Sequence, residues 1–392
     1  MSRKKTTLLI SPFFYPEPVS TGKYNTHLAK GLVQQGRQVD VLCSHPIYPQ
    51  WKPAVSNKTM CGINIIRGGR FIRYPASPLL RRLVLEVWFF FFVVRHLLPV
   101  WFRRKHYDSI IFIFPPNLVG LLAFLIPQKN TRITGIVHDI QGVMANSRAS
   151  LPRKLVMKMI HAIERRSYQA CDKLIFLSEN MQKTAQRLYG KLSSESAICY
   201  PFITLPPDTK ASHQLDDIFG KYQYSLVYSG ALGEKQAPDK LAELFLSVIT
   251  KAPEIHAFIF SQGAVFNQLK SRYSHPQLHF HPFVDKSQLP ELLNRSSVQV
   301  IPQQTGTSDG AFPSKLPNIL ASHGKVFTIT DRGSELDRLL QQYTRALVCY
   351  SWEDNQLADQ LIHFVKKENS SLLDEDENLI QTFSLTKLLD EL

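Results

Sequence analysis

The chain has 392 residues, 44% of them hydrophobic, and this length suggests two domains with sizeable cores. Five scattered cysteines without a CxxC pair argue against a disulfide framework and a structural zinc site. Residues 1–203 carry 29 Lys and Arg against 9 Asp and Glu, whereas the remainder carries 17 against 23. The basic first half therefore indicates a polyanionic partner, and an anionic membrane is favoured over nucleic acid because the sequence has no nucleic-acid-binding motif.

The first residues predict a doubly wound α/β domain. Thr6–Ser11 is apolar enough to be a buried strand rather than a signal peptide, and a loop containing Gly22 follows it. Apolar residues at helical spacing then precede Gly36, and Gln38–Ser44 alternates like a second strand. A strand, a glycine-containing loop, a helix and a strand begin a Rossmann-like domain.

The same pattern continues and then starts again after a proline-rich linker near residues 201–212. Further strands are predicted at Ile110–Phe114, Ile133–Val137, Lys173–Leu177, Ser225–Ser229, His256–Phe260, His279–Phe283, Val298–Ile301, Val326–Thr330 and Ala346–Tyr350. We expect two Rossmann-like parallel-sheet domains, residues 1–203 and 204–365, that face a central cleft. Residues 366–392 are expected to form a tail, with a solvated acidic turn at Asp374–Glu377 and a surface helix.

One apolar segment, Leu83–Phe102, is long enough to span a bilayer. Glu86, Arg95 and Pro99 interrupt it, and arginines flank it on both sides. A helix lying at the headgroup level of an anionic membrane is favoured, and a buried domain helix or a true span are the alternatives.

Three loops of the second domain follow predicted strands and contain glycine, lysine or serine. They are Gly230–Lys235, Ser261–Gly263 and the start of Gly310–Lys325. Alone, Ser314 and Lys315 could be an ordinary helix start with an exposed lysine. Because parallel strands end at one edge of a sheet, the three loops together favour a diphosphate site that includes Lys235 and Lys315.

Four stretches carry a resemblance to a known family: Phe14–Trp51, Tyr228–Gln236, Pro313–Ser322 and Asp331–Leu336. Their order and spacing resemble retaining family-four glycosyltransferases of the GT-B fold, most closely those of colanic-acid and exopolysaccharide biosynthesis. The similarity covers nearly the whole chain, but it does not identify the sugar.

The resemblance implies a donor site for a nucleotide diphosphate sugar. Its residues would be Gly22, Gly230, Lys235, Gln262, Gly263, Phe283, Val284, Ser314, Lys315 and Leu316. Gly22 would approach the diphosphate across the cleft, while His138 and Asp139 would lie near the transferred sugar and the acceptor. His138 could instead be a structural residue, and Glu17 is either an acceptor-side base or a surface carboxylate.

The sequence also departs from the family. Where many members have a pair of glutamates, this chain has Gly310 and Asn318, and His323 replaces a small residue before the next strand. The expected activity is hexosyl or deoxyhexosyl transfer to a lipid-linked saccharide, at the inner face of the cell membrane. A catalytically weak relative that acts as a membrane-bound assembly partner is the alternative.

Neither a metal nor a cofactor is expected. No Asp-x-Asp pair follows a strand, and His279 and His281 have no evident third ligand. Lysines and helix N-termini can stabilise a departing diphosphate without a metal. Retention on the front face, with the departing phosphate accepting the acceptor's proton, is implied by the resemblance alone.

Overall fold

The computed structural model describes residues 3–102, 104–127, 130–140, 151–192, 195–205, 213–220, 222–308, 312–368 and 371–392. These residues form two compact units. The first comprises Met1–Pro201 with Leu385–Leu392, and the second comprises Phe202–Ser384.

The first unit contains a seven-stranded parallel sheet in the order β3-β2-β1-β4-β5-β6-β7. Its strands are β1 (Thr6–Ile10), β2 (Gln38–Ser44), β3 (Ile63–Gly68), β4 (Ser109–Phe114), β5 (Arg132–Val137), β6 (Lys173–Phe176) and β7 (Glu195–Ile198). The helices between them are α1 (Ser20–Gln34), α2 (Pro78–Trp101), α3 (Leu151–Gln169) and α4 (Glu179–Tyr189), with a 3-10 helix over Leu118–Leu125. All six residues of β4 are buried, because helices cover both faces of the central strands.

The second unit contains a six-stranded parallel sheet in the order β10-β9-β8-β11-β12-β13. Its strands are β8 (Tyr224–Ser229), β9 (Ile255–Phe260), β10 (Leu278–His281), β11 (Val298–Pro302), β12 (Val326–Ile329) and β13 (Ala346–Cys349). Its helices are α5 (Asp216–Phe219), α6 (Pro238–Lys251), α7 (Ala264–Arg272), α8 (Leu289–Arg295), α9 (Leu316–Ala321), α10 (Glu335–Leu340), α11 (Leu357–Lys366) and α12 (Asp374–Gln381). Both strand orders are doubly wound, as predicted.

The expectation of a solvated acidic turn is wrong at Asp376, while Asp374, Glu375 and Glu377 are exposed as expected. The acidic run starts α12, and the buried Asp376 carboxylate accepts hydrogen bonds from the N–H groups of Thr344 and Leu373, both at 2.8 Å. The last helix, α13 (Leu385–Asp390), packs on α1 in the first unit. A methyl group added to Gly31 of α1 would lie 2.7 Å from Leu389, so glycine permits this close packing.

Candidate functional site

The carboxyl edge of the second sheet brings three predicted loops together. The N–H of Gly230, after β8, donates to Phe260 O at 3.0 Å, which ties the first loop to the end of β9. The N–H of Gln304, after β11, donates to Lys235 O at 2.8 Å, and Lys315 Nζ of the third loop donates to Ser229 O just before the first loop. The predicted juxtaposition is therefore present within this unit.

Lys315 lies at the centre of this edge. Its Nζ donates to Val300 O at 3.1 Å and Ser229 O at 3.4 Å, and it lies 3.8 Å from the centroid of the Tyr228 ring. Burial of the ammonium group lowers the pKa of Lys315 to about 7. A methyl group built on Gly230 would lie 3.6 Å from Nζ, which places the glycine backbone beside the charge.

The residues next to Lys315 differ in what they can offer a ligand. Ser314 is partly exposed immediately before it. Leu316 is fully buried, and its N–H already donates to Pro313 O at 3.1 Å, so its side chain belongs to the core. Lys235 is partly exposed on a 3-10 turn that is closed by a bond from Gly233 N–H to Gln236 Oε1 at 3.0 Å.

The second predicted loop and the turn after β10 lie side by side at the same edge. Ser261 N–H donates to His281 O at 3.0 Å, while the buried Ser261 Oγ has no hydrogen-bond partner among the described residues. Gly263 is exposed at the start of α7 with a φ of 104°, a conformation that favours glycine. Gln262, which follows β9, and Phe283 and Val284, which follow β10, are partly exposed.

The glutamate positions of the family are only partly described. Gly310 lies outside the described residues. Asn318 lies in α9, and its Oδ1 accepts a hydrogen bond from Thr204 N–H at 2.8 Å while its Nδ2 donates to Thr204 Oγ1 at 3.0 Å. Its amide therefore holds the first residues of this unit instead of standing free for a ligand.

In the first unit, His138 and Asp139 follow β5 as predicted. His138 N–H donates to Phe114 O at 2.9 Å, and its ring lies 6.3 Å from that of Tyr24 between centroids. Desolvation lowers the pKa of His138 to about 4. The ring is thus neutral at pH 7, and it can exchange hydrogen bonds with sugar hydroxyls without carrying charge.

Glu17 was expected to be either an acceptor-side base or a surface carboxylate, and the structure excludes the surface position. It is 2% exposed and accepts hydrogen bonds from Ile47 N–H at 2.9 Å and Tyr48 N–H at 2.7 Å. Desolvation raises its pKa above the ordinary value, while these bonds oppose that shift. A methyl group on Gly22 would lie 2.9 Å from Glu17 Cβ, so Gly22 permits a close approach within this unit. These contacts make Glu17 an anchor of the loop after β2.

Helix α2 has two apolar faces. Leu85, Phe89, Val93, Leu97 and Val100 are buried against the sheet. An outer stripe is exposed, and its residues are Leu79, Leu80, Leu83, Val87, Phe91 and Leu98. Glu86 accepts hydrogen bonds from the N–H groups of Asn117 and Leu118 at 3.0 and 2.8 Å. By length and composition α2 could cross a membrane, with 28% of its most apolar window buried.

The described residues contain no group of three metal-ligating side chains. His256 Nδ1 and His279 Nε2 lie 3.0 Å apart, and the rings of His279 and His281 are stacked.

Two contacts were not predicted from the sequence: Tyr228 with Lys315, and Arg81 with Trp51. The only signals were a tyrosine two residues before Gly230 and an arginine in the apolar helix.

Comparisons with known proteins agree with this architecture. Residues 21–205 match the model of Glycosyltransferase Family 4. A protein of Escherichia coli (strain K12), provisionally named colanic acid biosynthesis glycosyl transferase WcaI, is 23% identical over 358 residues, or 86% of each chain. Sucrose-phosphate synthase from Thermosynechococcus elongatus shares the fold with a TM-score of 0.74 and 13% identity, over 99% of this chain and 97% of that one. A structure named "Trehalose-6-phosphate from E. coli bound with UDP-2-fluoro glucose" has a TM-score of 0.63 and 11% identity, over 97% and 95%.

Proposed function

We propose that this chain, a glycosyltransferase of the family-four GT-B type, transfers a sugar from a nucleotide diphosphate sugar to a lipid-linked saccharide. The name of the Escherichia coli relative supports a role in exopolysaccharide biosynthesis. The observation that carries the proposal is the placement of Lys315 beside Gly230, at the sheet edge where parallel α/β sheets bind ligands.

In the proposed reaction, the acceptor oxygen forms a bond to the anomeric carbon as the bond from that carbon to the phosphate oxygen breaks. Retention follows if both events occur on one face and the departing phosphate takes the acceptor's proton. The main electrostatic task is to stabilise the charge on the diphosphate. Lys315 and Lys235 would supply the compensating positive charge without a metal. Neutral His138 would orient sugar hydroxyls.

The proposed location is the cytoplasmic face of the cell membrane, with peripheral attachment through α2. The exposed stripe supplies apolar side chains, among them Phe91 at 64% and Leu83 at 51% exposure. The excess of basic residues in the first half supplies attraction to anionic lipid. Glu86 serves the backbone of the 3-10 helix, which fits a helix lying on the bilayer better than one crossing it.

A weak or inactive relative that serves as an assembly partner is the second candidate. Asn318 favours it, because its amide is engaged by Thr204 where the family has a glutamate. A screen of nucleotide sugars for thermal stabilisation, followed by turnover with membrane lipid extracts, separates the two functions. The enzyme should be stabilised by its donor and should lose that effect in Lys315→Ala. Stabilisation without any transfer or hydrolysis would support the second candidate.

A further inference from the structure

We propose that the carboxyl edge of β2 and β3 holds a binding site for the diphosphate headgroup of a lipid, the carrier of the acceptor saccharide. This inference rests on the proposed function, because it gives the chemistry of that acceptor. The site consists of the loops after β2 and β3 and the first turns of α2, all within the first unit.

A stacked pair forms the centre of this headgroup site. The Arg81 guanidinium lies 4.3 Å from the Trp51 ring centroid, and the Trp51 ring meets Tyr74 edge-on at 5.5 Å. Trp88 Nε1 donates to Tyr74 Oη at 2.8 Å, which fixes that ring. The guanidinium itself makes no hydrogen bond or ion pair with any described residue. A planar guanidinium held on an aromatic ring presents its N–H donors in the fork geometry that suits phosphate.

The loop that carries Trp51 is held in place. Trp51 has a φ of 55°, a left-handed conformation that bulky side chains rarely adopt. The buried Glu17 carboxylate binds the backbone of the same loop at Ile47 and Tyr48. On the other side, a methyl group on Gly69 would lie 2.7 Å from the Trp88 ring, so this ring packs directly on the backbone. The pair is therefore preorganised.

Charge and apolar surface meet at this headgroup site. Within the described part of the chain, Arg70, Arg73 and Arg81 have no carboxylate within 4.0 Å. Arg82, in contrast, lies close enough to Glu86 to oppose the rise in pKa that burial of this carboxyl causes. These arginines therefore leave positive charge uncompensated on the loop after β3 and the first turns of α2, which attracts an anionic headgroup. The adjoining exposed side chains are apolar: Phe71 at 85%, Leu79 at 54% and Leu80 at 52%.

This combination selects a lipid diphosphate over the other anions. A free phosphate compound would gain nothing from the exposed leucines and phenylalanine. Bulk anionic lipid needs only diffuse positive charge, such as that provided by exposed Arg104 beyond the far end of α2. The preorganised Arg81 lies instead in the first turns of α2, on the ring of Trp51 in the loop after β2, at the edge where α/β sheets bind ligands.

The test measures by calorimetry how tightly the full chain binds three probes: geranyl diphosphate, geraniol and inorganic diphosphate. We expect Arg81→Gln to weaken geranyl diphosphate binding by about tenfold or more, because a charged bidentate contact is lost. Arg81→Lys, which keeps the charge without the planar stack, should recover part of the affinity. Arg104→Gln, the matched loss of one positive charge, should change it by less than about twofold.

Lys315→Ala separates this site from the donor site. It should weaken binding of inorganic diphosphate, because the donor site is lost, and leave the Arg81-dependent binding of geranyl diphosphate intact. Equal losses in Arg81→Gln and Arg104→Gln would reduce the site to diffuse charge and overturn the proposal. Loss of geranyl diphosphate binding in Lys315→Ala, but not in Arg81→Gln, would overturn it as well. If Lys315→Ala left inorganic diphosphate binding unchanged, the donor assignment would fail instead, and Arg81→Gln would still decide the lipid site.

Discussion

The Nζ atom of Lys315 lies 3.8 Å from the centroid of the Tyr228 ring, at the carboxyl edge of the second sheet. The ring and two backbone carbonyls hold an ammonium group that has lost much of its hydration. An anion arriving beside Gly230 would supply the charge that the site lacks. Binding at the proposed donor site should therefore depend on the protonation of Lys315.

Donor binding should weaken above pH 7. The pKa of Lys315 in the ligand-free protein is about 7, so the ammonium form prevails below that pH and is lost as pH rises. A diphosphate binds the ammonium form, so affinity should fall by up to about tenfold per pH unit above 7 and stay level below it. Lys315→Arg, which stays charged, should remove this dependence, whereas Lys235→Arg should keep it. Calorimetry from pH 6 to 9 measures the donor affinity of the wild-type protein and of both variants. A wild-type affinity that does not change with pH would contradict the assignment of Lys315 to the donor site.

Glu17→Gln should destabilise the first unit. Glutamine keeps one accepting oxygen, so one of the N–H groups of Ile47 and Tyr48 loses its partner in a buried site. The expected cost is about 1–3 kcal/mol in the free energy of unfolding, measured by urea denaturation. A residue acting only as a base would lose turnover at unchanged stability, so that pattern would restore the catalytic assignment.

Asn318→Ala should destabilise the second unit by about 1–2 kcal/mol, because it removes both bonds to Thr204. Thr204→Val should cost less, since the backbone N–H can still donate to Asn318. Thermal unfolding of both variants and their double mutant measures the coupling between the two residues. Additive effects would show that the Asn318 amide does not act through the Thr204 hydroxyl, which leaves only the bond from the Thr204 N–H.

Replacing Val87 and Phe91 with serine should weaken binding to anionic vesicles without loss of stability. Both side chains are exposed, at 41% and 64%, so their removal takes little from the core. Leu373→Ser, at a similarly exposed leucine of the second unit, is the control. Vesicle flotation at low and high salt reports the apolar and the charged contributions. If the double variant and the control floated equally well, α2 would not be the membrane contact.

Much of the fold follows from local patterns. The spacing of apolar residues predicts β2 with its observed bounds, and it predicts most other strands to within a residue. It misses β3 and β7, which lie at the two edges of the first sheet and alternate poorly because their outer sides are partly exposed. It extends β10 too far, past Pro282, which has no N–H to continue the ladder.

The contacts that define the site depend on distant parts of the chain. Lys315 and Tyr228 meet only because β8 and β11 are neighbours in the sheet. The sequence places Glu17 in a polar loop, whereas its burial depends on backbone groups 30 and 31 positions away. The acidic tail gives no hint that Asp376 binds Thr344. Local periodicity contains no information about such pairs.

The most direct test of the central claim is sugar transfer from labelled nucleotide sugars to lipid extracted from the native membrane, with wild-type protein and Lys315→Ala. With wild-type protein, one nucleotide sugar should label the lipid fraction. Lys315→Ala should lower this rate by about a hundredfold, the usual effect of losing one group that stabilises developing charge. Full turnover in Lys315→Ala, or no labelling with any nucleotide sugar, would contradict it.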